Sequence, residues 1–265
     1  MHERHTDREL YFREQSHTTR KHVIPFIQTV IPVTPSLSVL EIGCGEGGNL
    51  LPFLELGCSR ITGIDISEYK IGNARRFYSL IPGGEKVEFI ASDIYDCSST
   101  GKFDLIIMRD VFEHIHDQAR FTGFVRNILA PGGMLFIAFP PWCNPFGGHQ
   151  QVCDSRVLSR MPWIHLLPRF IYRIILRTAG ESPARIEGLM EIRDTGINLG
   201  RFYRIIKKEG FSFLKKSLWF VNPNFEIKFG LRPRLLPGFI GGIPVLRNFL
   251  ATTGYFIISV PRQEP

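Results

Sequence analysis

Between Val39 and Leu50 the chain reads Val-Leu-Glu-Ile-Gly-Cys-Gly-Glu-Gly-Gly-Asn-Leu, an apolar strand that runs into a glycine turn and then a helix start. Gly43, Gly45 and Gly48 meet the G-x-G-x-x-G spacing, in which residues without side chains let the backbone turn sharply and let a nucleotide-like ligand approach a helix N-terminus. The acidic company of the turn narrows the ligand. Glu41 at the strand end and Glu46 inside the turn repel a dinucleotide pyrophosphate and suit a ligand that carries ammonium and sulfonium charges.

With 265 residues, 44% of them hydrophobic, the chain can bury one sizeable core, and one domain with insertions is expected. Met1 to Lys21 is crowded with His, Arg and Glu, and no run of about 18 apolar residues occurs, so the chain reads as soluble and cytoplasmic. Five cysteines (Cys44, Cys58, Cys97, Cys143 and Cys153) with no C-x-x-C pair argue against a disulfide framework and a structural zinc site. The net charge of +7 is uneven: residues 1–140 hold 14 Lys and Arg against 17 Asp and Glu, residues 141–265 hold 18 against 8. A basic C-terminal part is either a solvated surface or a lobe that attracts an anionic acceptor.

Strand and helix signals alternate through the first 140 residues, as in βαβ units on a parallel sheet. Strands are expected at Ser38–Ile42, Ile61–Ile64, Val87–Ala91, Phe103–Met108 and Gly133–Phe139, with helices at Asn49–Leu56, Glu68–Ser79 and Gln118–Leu129, the last two after the caps Ser67 and Asp117. Residues 1–35 read as an N-terminal helical cap, with one or two helices between Leu10 and Val30. After Phe139 a Pro- and Gly-rich loop opens an insertion, residues 141–198, in which Arg169, Arg173 and Arg177 lie opposite Phe170, Ile171, Ile174 and Ile175 on a basic amphipathic helix. A helix at Leu199–Glu209 and strands at Phe211–Phe220 and Tyr255–Val260 complete the core, with a second insertion, Asn222–Gly242, between these strands.

Asp65, about twenty residues beyond the glycines, suits a ribose in an NAD enzyme and in other adenosine-binding proteins alike. Glu41 and a third acid, Asp93 in Phe-Ile-Ala-Ser-Asp-Ile, decide between them, since an acid after the third strand accepts from an adenine amino group. Residues 36–142 resemble a class I S-adenosylmethionine-dependent methyltransferase. The Glu-Ile-Gly-Cys-Gly-Glu-Gly turn is similar to that family's first motif, Gly-Ile-Asp-Ile-Ser (63–67) to its second and Ala-Ser-Asp-Ile (91–94) to its third. Phe-Asp-Leu-Ile-Ile-Met-Arg-Asp-Val-Phe-Glu-His-Ile (103–115) and Leu-Ala-Pro-Gly-Gly-Met-Leu-Phe-Ile (129–137) are similar to the fourth and to the turn and strand after it. The resemblance implies an α/β, Rossmann-like seven-stranded sheet, mostly parallel with the last strand antiparallel, formed by residues 36–140 and 199–265. The helical insertion after strand five would bind the acceptor. It also implies S-adenosyl-L-methionine as cofactor, with Glu41, Gly43, Cys44 and Gly45 along its methionine part, Asp65 and Ile66 at the ribose, Asp93 and Ile94 at the adenine, and Arg109 and Asp110 facing cofactor and acceptor. Arg20, in a helix across the cofactor mouth, is a candidate partner of the methionine carboxylate, and Tyr11 shares that setting.

Methyl transfer to a hydroxyl removes a proton, and His114 and His149 are the candidates to take it, His titrating near neutrality. Glu113 and His114 lack a second acidic cluster at suitable spacing, so no metal is expected. No Asn-Pro-Pro-Tyr-like tetrapeptide follows the fourth strand, which weighs against amide or adenine N-methylation. The leading reading is O-methylation of a small-molecule, glycan or lipid-linked acceptor, with peripheral membrane contact through the Arg169–Arg177 helix. An inactive cofactor-binding protein, a membrane-surface adaptor and an RNA methyltransferase stand as alternatives. The arginines are interleaved with aliphatic stretches instead of forming a polar basic track, which disfavours nucleic acid.

Overall fold

Strands this rich in Val, Ile, Leu and Phe need cover on both faces, and a central sheet between two helical layers supplies it. The computed structural model describes residues 7–261, apart from the side chains of residues 98–100. The ends of the expected cap and core, residues 1–6 and 262–265, lie outside the described residues. Strands β1 (Ser38–Ile42), β2 (Arg60–Asp65), β3 (Val87–Ala91), β4 (Phe103–Arg109) and β5 (Leu129–Phe139) pair in parallel. Beyond them come β6 (Ser212–Val221), β7 (Arg234–Leu235) and β8 (Thr253–Ser259), and the sheet order is β3-β2-β1-β4-β5-β8-β6-β7. The last strand, β8, runs antiparallel to β5, as the methyltransferase resemblance implies. The eighth strand is the addition to seven: two residues of the second insertion that pair Trp219 with Leu235 and Val221 with Arg234.

The period of two along the strands sorts the core into two layers. Val39, Leu105, Ile107 and Phe136 face one side, where they pack with Phe12, Ile27, Phe53, Ile71 and Phe77. Leu40, Ile106, Met108 and Ile137 face the other, against Phe121, Val125, Phe202 and Ile206. The helices of the first layer are α1 (Arg8–Thr18), which passes through a π-helical turn (Thr19–Val23) into α2 (Ile24–Gln28), then α3 (Leu51–Glu55) and α4 (Glu68–Tyr78). The second layer holds α5 (Gln118–Ile128) and, later in the chain, a helix at Leu199–Lys208. Ser67 and Asp117 cap α4 and α5 by accepting from the backbone N–H of Lys70 and Arg120, as their positions suggest.

Three local expectations change. The helix expected from Asn49 starts at Leu51, because the Asn49 side chain is drawn into buried hydrogen bonds and Pro52 fits the first helical turn. In the first insertion α6 (Arg169–Thr178) and α7 (Pro183–Thr195) carry a small core of their own around Tyr172, Leu176, Leu189 and Met190. Arg169 and Arg173 do not form a free basic face: they pair with Asp194 and Glu187 of α7, while Phe170 and Ile174 are exposed. The expected amphipathic helix is present, and the sequence period by itself did not show that α7 supplies acids to two of its arginines. The second insertion contains α9 (Asn224–Phe229), β7 and the short helix α10 (Gly238–Gly241), and α11 (Pro244–Leu250) follows it before β8, α8 being the helix at Leu199–Lys208. Among the described residues no helix is long and apolar enough to cross a membrane.

Gly48 lies where α1 crosses the glycine turn, and a Cβ there would run into the Phe12 carbonyl oxygen and stand 2.9 Å from the Gln15 side chain. Gly48→Ala is therefore expected to cost about 1–3 kcal/mol, read as a lower urea midpoint with an unchanged denaturant slope.

Candidate active site

The chain leaves β1 towards β2 and leaves β4 towards β5, so a crevice opens at the carboxyl ends of β1 and β4, where the strand order switches. The glycine turn lines it. Gly43, Gly45 and Gly47 hold φ of 71°, 54° and 80°, a left-handed backbone that favours glycine. The N–H groups of Gly43 and Cys44 donate to the Ile64 carbonyl at 2.7 and 3.0 Å, which ties the turn to β2. Asp65 completes the tie: its carboxylate accepts from the N–H of Gly45 and of Ser67, each at 2.9 Å. Both bonds use N–H donors, so the carboxylate keeps lone pairs for ribose hydroxyls.

Behind the turn lies a buried polar network. Glu41, 1% exposed, accepts from the Asn49 amide through Oε1, while its Oε2 has no hydrogen-bond partner. Asn49 accepts in turn from the Thr19 hydroxyl at 2.7 Å and from the Arg109 guanidinium. Arg109 also donates to Thr19 at 2.8 Å and to Asn224 of the second insertion at 2.7 Å. Burial pushes the Glu41 carboxyl from 4.5 up to about 8, against the opposing pull of Asn49 and Arg109.

Tyr11, Gln15, Thr18, Arg109, Asp110 and Asn224 border a small cleft between the N-terminal helix, the end of β4 and α9. Asp110 sits at the mouth with φ of 54°, a conformation costly for a residue with a side chain and one that concentrates at functional sites. Beyond it a 3-10 turn carries Glu113 and His114, and His149 meets them from the loop after β5, its ring centroid 5.1 Å from that of His114. Burial lowers both imidazoles, His149 to about 4 with His114 and His165 adding to the effect, so both are neutral at physiological pH.

The structure brings together Tyr11, Glu41, Gly43, Gly45, Asp65, Arg109 and Asp110 around the crevice, and His114 with His149 beside it. Other candidates sit apart from it or serve otherwise. Arg20, read as a partner of the methionine carboxylate, is half-exposed and grips Glu55 with two nitrogens, at 3.0 and 2.7 Å. Ile94, read as an adenine contact, is buried in the core beneath β4, whereas Asp93 is exposed and caps the turn at Tyr95. Ile66 is 81% exposed at the rim, open to an adenosine, and the Cys44 thiol is buried with its sulfur 3.7 Å from the Gly45 carbonyl. His165 of the first insertion packs on Trp142 and bonds its carbonyl at 2.8 Å. Asn49, Thr19 and Asn224 were not legible as site residues. Only Asn49, a lone polar residue between the glycines and the apolar helix, left any trace in the sequence.

Residues 15–165, more than half of the chain, match the sequence family described as Methyltransferase domain. The chain belongs to that family. This methyltransferase is 32% identical over 102 residues to a ubiquinone biosynthesis O-methyltransferase of Aromatoleum aromaticum, a match covering 38% of the chain and 42% of that protein. It is 26% identical over 105 residues to a sterol 24-C-methyltransferase of Gibberella zeae, covering 39% of the chain and 28% of that protein. The chain thus spans well under half the length of these curated relatives. Its fold is similar to that of the magnesium protoporphyrin IX methyltransferase of Synechocystis, solved with SAH, at a TM-score of 0.54 and 16% identity over 93% of the methyltransferase and 84% of that chain.

Glu41 gives the ligand-free methyltransferase a signature. Its folded pKa lies above the 4.5 of a free carboxyl, so the folded state holds the proton longer and stability falls as pH rises from about 5 to 8. Glu41→Gln is expected to flatten that slope and to exceed the parent at pH 8 by on the order of 1–3 kcal/mol, measured by urea unfolding across the pH range.

Proposed function

We propose that this methyltransferase uses S-adenosyl-L-methionine to methylate the oxygen of a small-molecule acceptor and releases S-adenosyl-L-homocysteine. The observation that carries this reading is Glu41: a buried carboxyl at the head of the glycine turn, with one oxygen unpartnered and Asp65 nearby. A cationic ligand lowers the cost of ionising Glu41, whereas a pyrophosphate raises it, so the site favours a sulfonium nucleoside over NAD. Asp65 would take the ribose hydroxyls, Ile66 and Asp93 the adenine, and Tyr11 and Asp110 the methyl-transfer side.

Transfer is a direct displacement: a lone pair on the acceptor oxygen forms the O–C bond as the C–S bond breaks and sulfonium becomes thioether. The protein aligns oxygen, carbon and sulfur and keeps water out. Matches to both O- and C-methyltransferases leave the acceptor atom to the site itself. The imidazoles of His114 and His149 support oxygen as bases beside the crevice, because a hydroxyl acceptor has a proton to lose as its oxygen is methylated.

A lipid-linked acceptor is supported by the second insertion. Its α9 lines the cleft through Asn224, Ile227 and Lys228, and the same segment exposes Leu231, Leu235, Phe239 and Val245 beside Arg232 and Arg234. Apolar side chains amid cations suit an anionic membrane surface that would present such an acceptor to the cleft. This surface replaces the Arg169–Arg177 helix as the membrane-facing candidate.

Calorimetry is expected to give one-to-one binding of S-adenosylmethionine with no measurable NAD binding, and Asp65→Ala to weaken the former at least tenfold, an effect worth about 1.4 kcal/mol or more. Preference for NAD overturns the reading. In flotation assays the protein is expected to rise with vesicles containing anionic lipid and to be released by added salt, and Phe239→Asp to abolish the effect.

A further inference from the structure

The side chains of Glu113, His114 and His149 converge from two separate loops, and their ligand atoms all lie within 4.8 Å of one another. Among the described residues no other trio of His, Cys, Asp or Glu comes this close. Glu113 is 3% exposed, and neither of its oxygens has a hydrogen-bond partner. Its nearest cationic candidate is the His114 imidazole, with Nε2 at 3.9 Å, too far for a hydrogen bond. A buried carboxyl without a partner loses its hydration with nothing in exchange, and that cost is met in proteins by a counter-charge or a metal.

The two imidazoles offer the complementary half. Each imidazole has a ring nitrogen that can present a lone pair to a metal, and the two rings meet edge to face with centroids 5.1 Å apart. The loop that delivers His149 is tightly built. The Asn144 amide donates to the Pro141 carbonyl at 2.8 Å, the His149 N–H donates to the Phe146 carbonyl at 3.0 Å, and His149 itself holds φ of 56°. Glu113 and His114 are held by the 3-10 turn that follows β4.

We infer that Glu113, His114 and His149 form a binding site for one divalent transition-metal ion, zinc by preference, on the acceptor side of the cofactor crevice. Two imidazoles and one carboxylate are a zinc ligand set with a position left open for water or substrate. A Cβ on Gly43 would run into Val111, which caps the turn carrying Glu113 and His114, so the cluster borders the glycine turn. This inference rests on the methyl-transfer reading for its purpose and not for its chemistry. With an acceptor hydroxyl at the open position, the ion lowers the hydroxyl pKa, the proton leaves to water, and the oxygen lone pair then displaces the thioether from the methyl carbon. The absence of a C-x-x-C pair, which excludes a structural zinc site, does not touch a site of this kind.

The test is a zinc titration of the full chain after treatment with a chelator, followed by calorimetry against a competing chelator and by metal analysis of the dialysed protein. The expected result is one zinc per chain, with Glu113→Gln and His149→Ala each weakening it about 100-fold. Cobalt in place of zinc is expected to give visible d–d absorption in the parent and none in His149→Ala. Substoichiometric binding, or equal affinity in parent and variants, overturns the proposal. Each sample is also titrated with S-adenosylhomocysteine: a variant that keeps nucleoside affinity while losing zinc is folded, and a parent that binds zinc without the nucleoside separates this inference from the methyl-transfer reading.

Discussion

The guanidinium of Arg109 holds the active-site region together. It lies 8% exposed at the end of β4 and reaches three parts of the chain: Thr19 of the N-terminal segment, Asn49 after the glycine turn and Asn224 of the second insertion. A charge taken this far from water is stable only when its donors are paired, and these partners supply oxygens with fixed directions. Because the partners come from segments far apart in sequence, satisfying one buried cation also fixes how the cap and the insertion sit over the crevice. Leaving either out would strand a buried charge, which costs more than an ordinary lost hydrogen bond.

The network also sets the electrostatics of the crevice. Asn49 links Arg109 to Glu41, yet Arg109 does not neutralise that carboxyl, whose pKa stays high. The floor of the site is therefore a buried carboxyl with one oxygen unpartnered. The rim carries ordinary ion pairs, with Glu226 bonded to Lys21 and His22 at 2.8 Å each, which tie α9 to the N-terminal segment. These pairs are partly exposed and contribute little stability.

Much of the sheet was legible because each strand is short, apolar and bounded by Gly, Pro or a capping residue. The five parallel strands and the helices capped by Ser67 and Asp117 stand within a few residues of where the pattern puts them. The glycine turn was legible too, since Gly43 and Gly45 hold a left-handed backbone at fixed spacing and Asp65 stands where it can tie the turn down. The partner of Arg20 was not, because a surface arginine takes whichever carboxylate is near, and Glu55 is 35 residues away in sequence. The partners of Arg169 and Arg173 were hidden for the same reason: Asp194 and Glu187 belong to another helix.

By itself the sequence determined the strand-turn-helix series and the residue types that line a nucleoside crevice, because period, glycine placement and acid spacing are local properties of the chain. Only the tertiary structure decided which polar groups share the interior. Thr19, Asn49, Arg109 and Asn224 meet, the Glu113 carboxylate has no hydrogen-bond partner beside His114 and His149, and Arg169 and Arg173 of α6 pair with acids of α7. The physical reason is that a buried polar group is judged by its neighbours in space, and neighbours drawn from β4, the N-terminal cap and two insertions are not written in any one stretch of sequence.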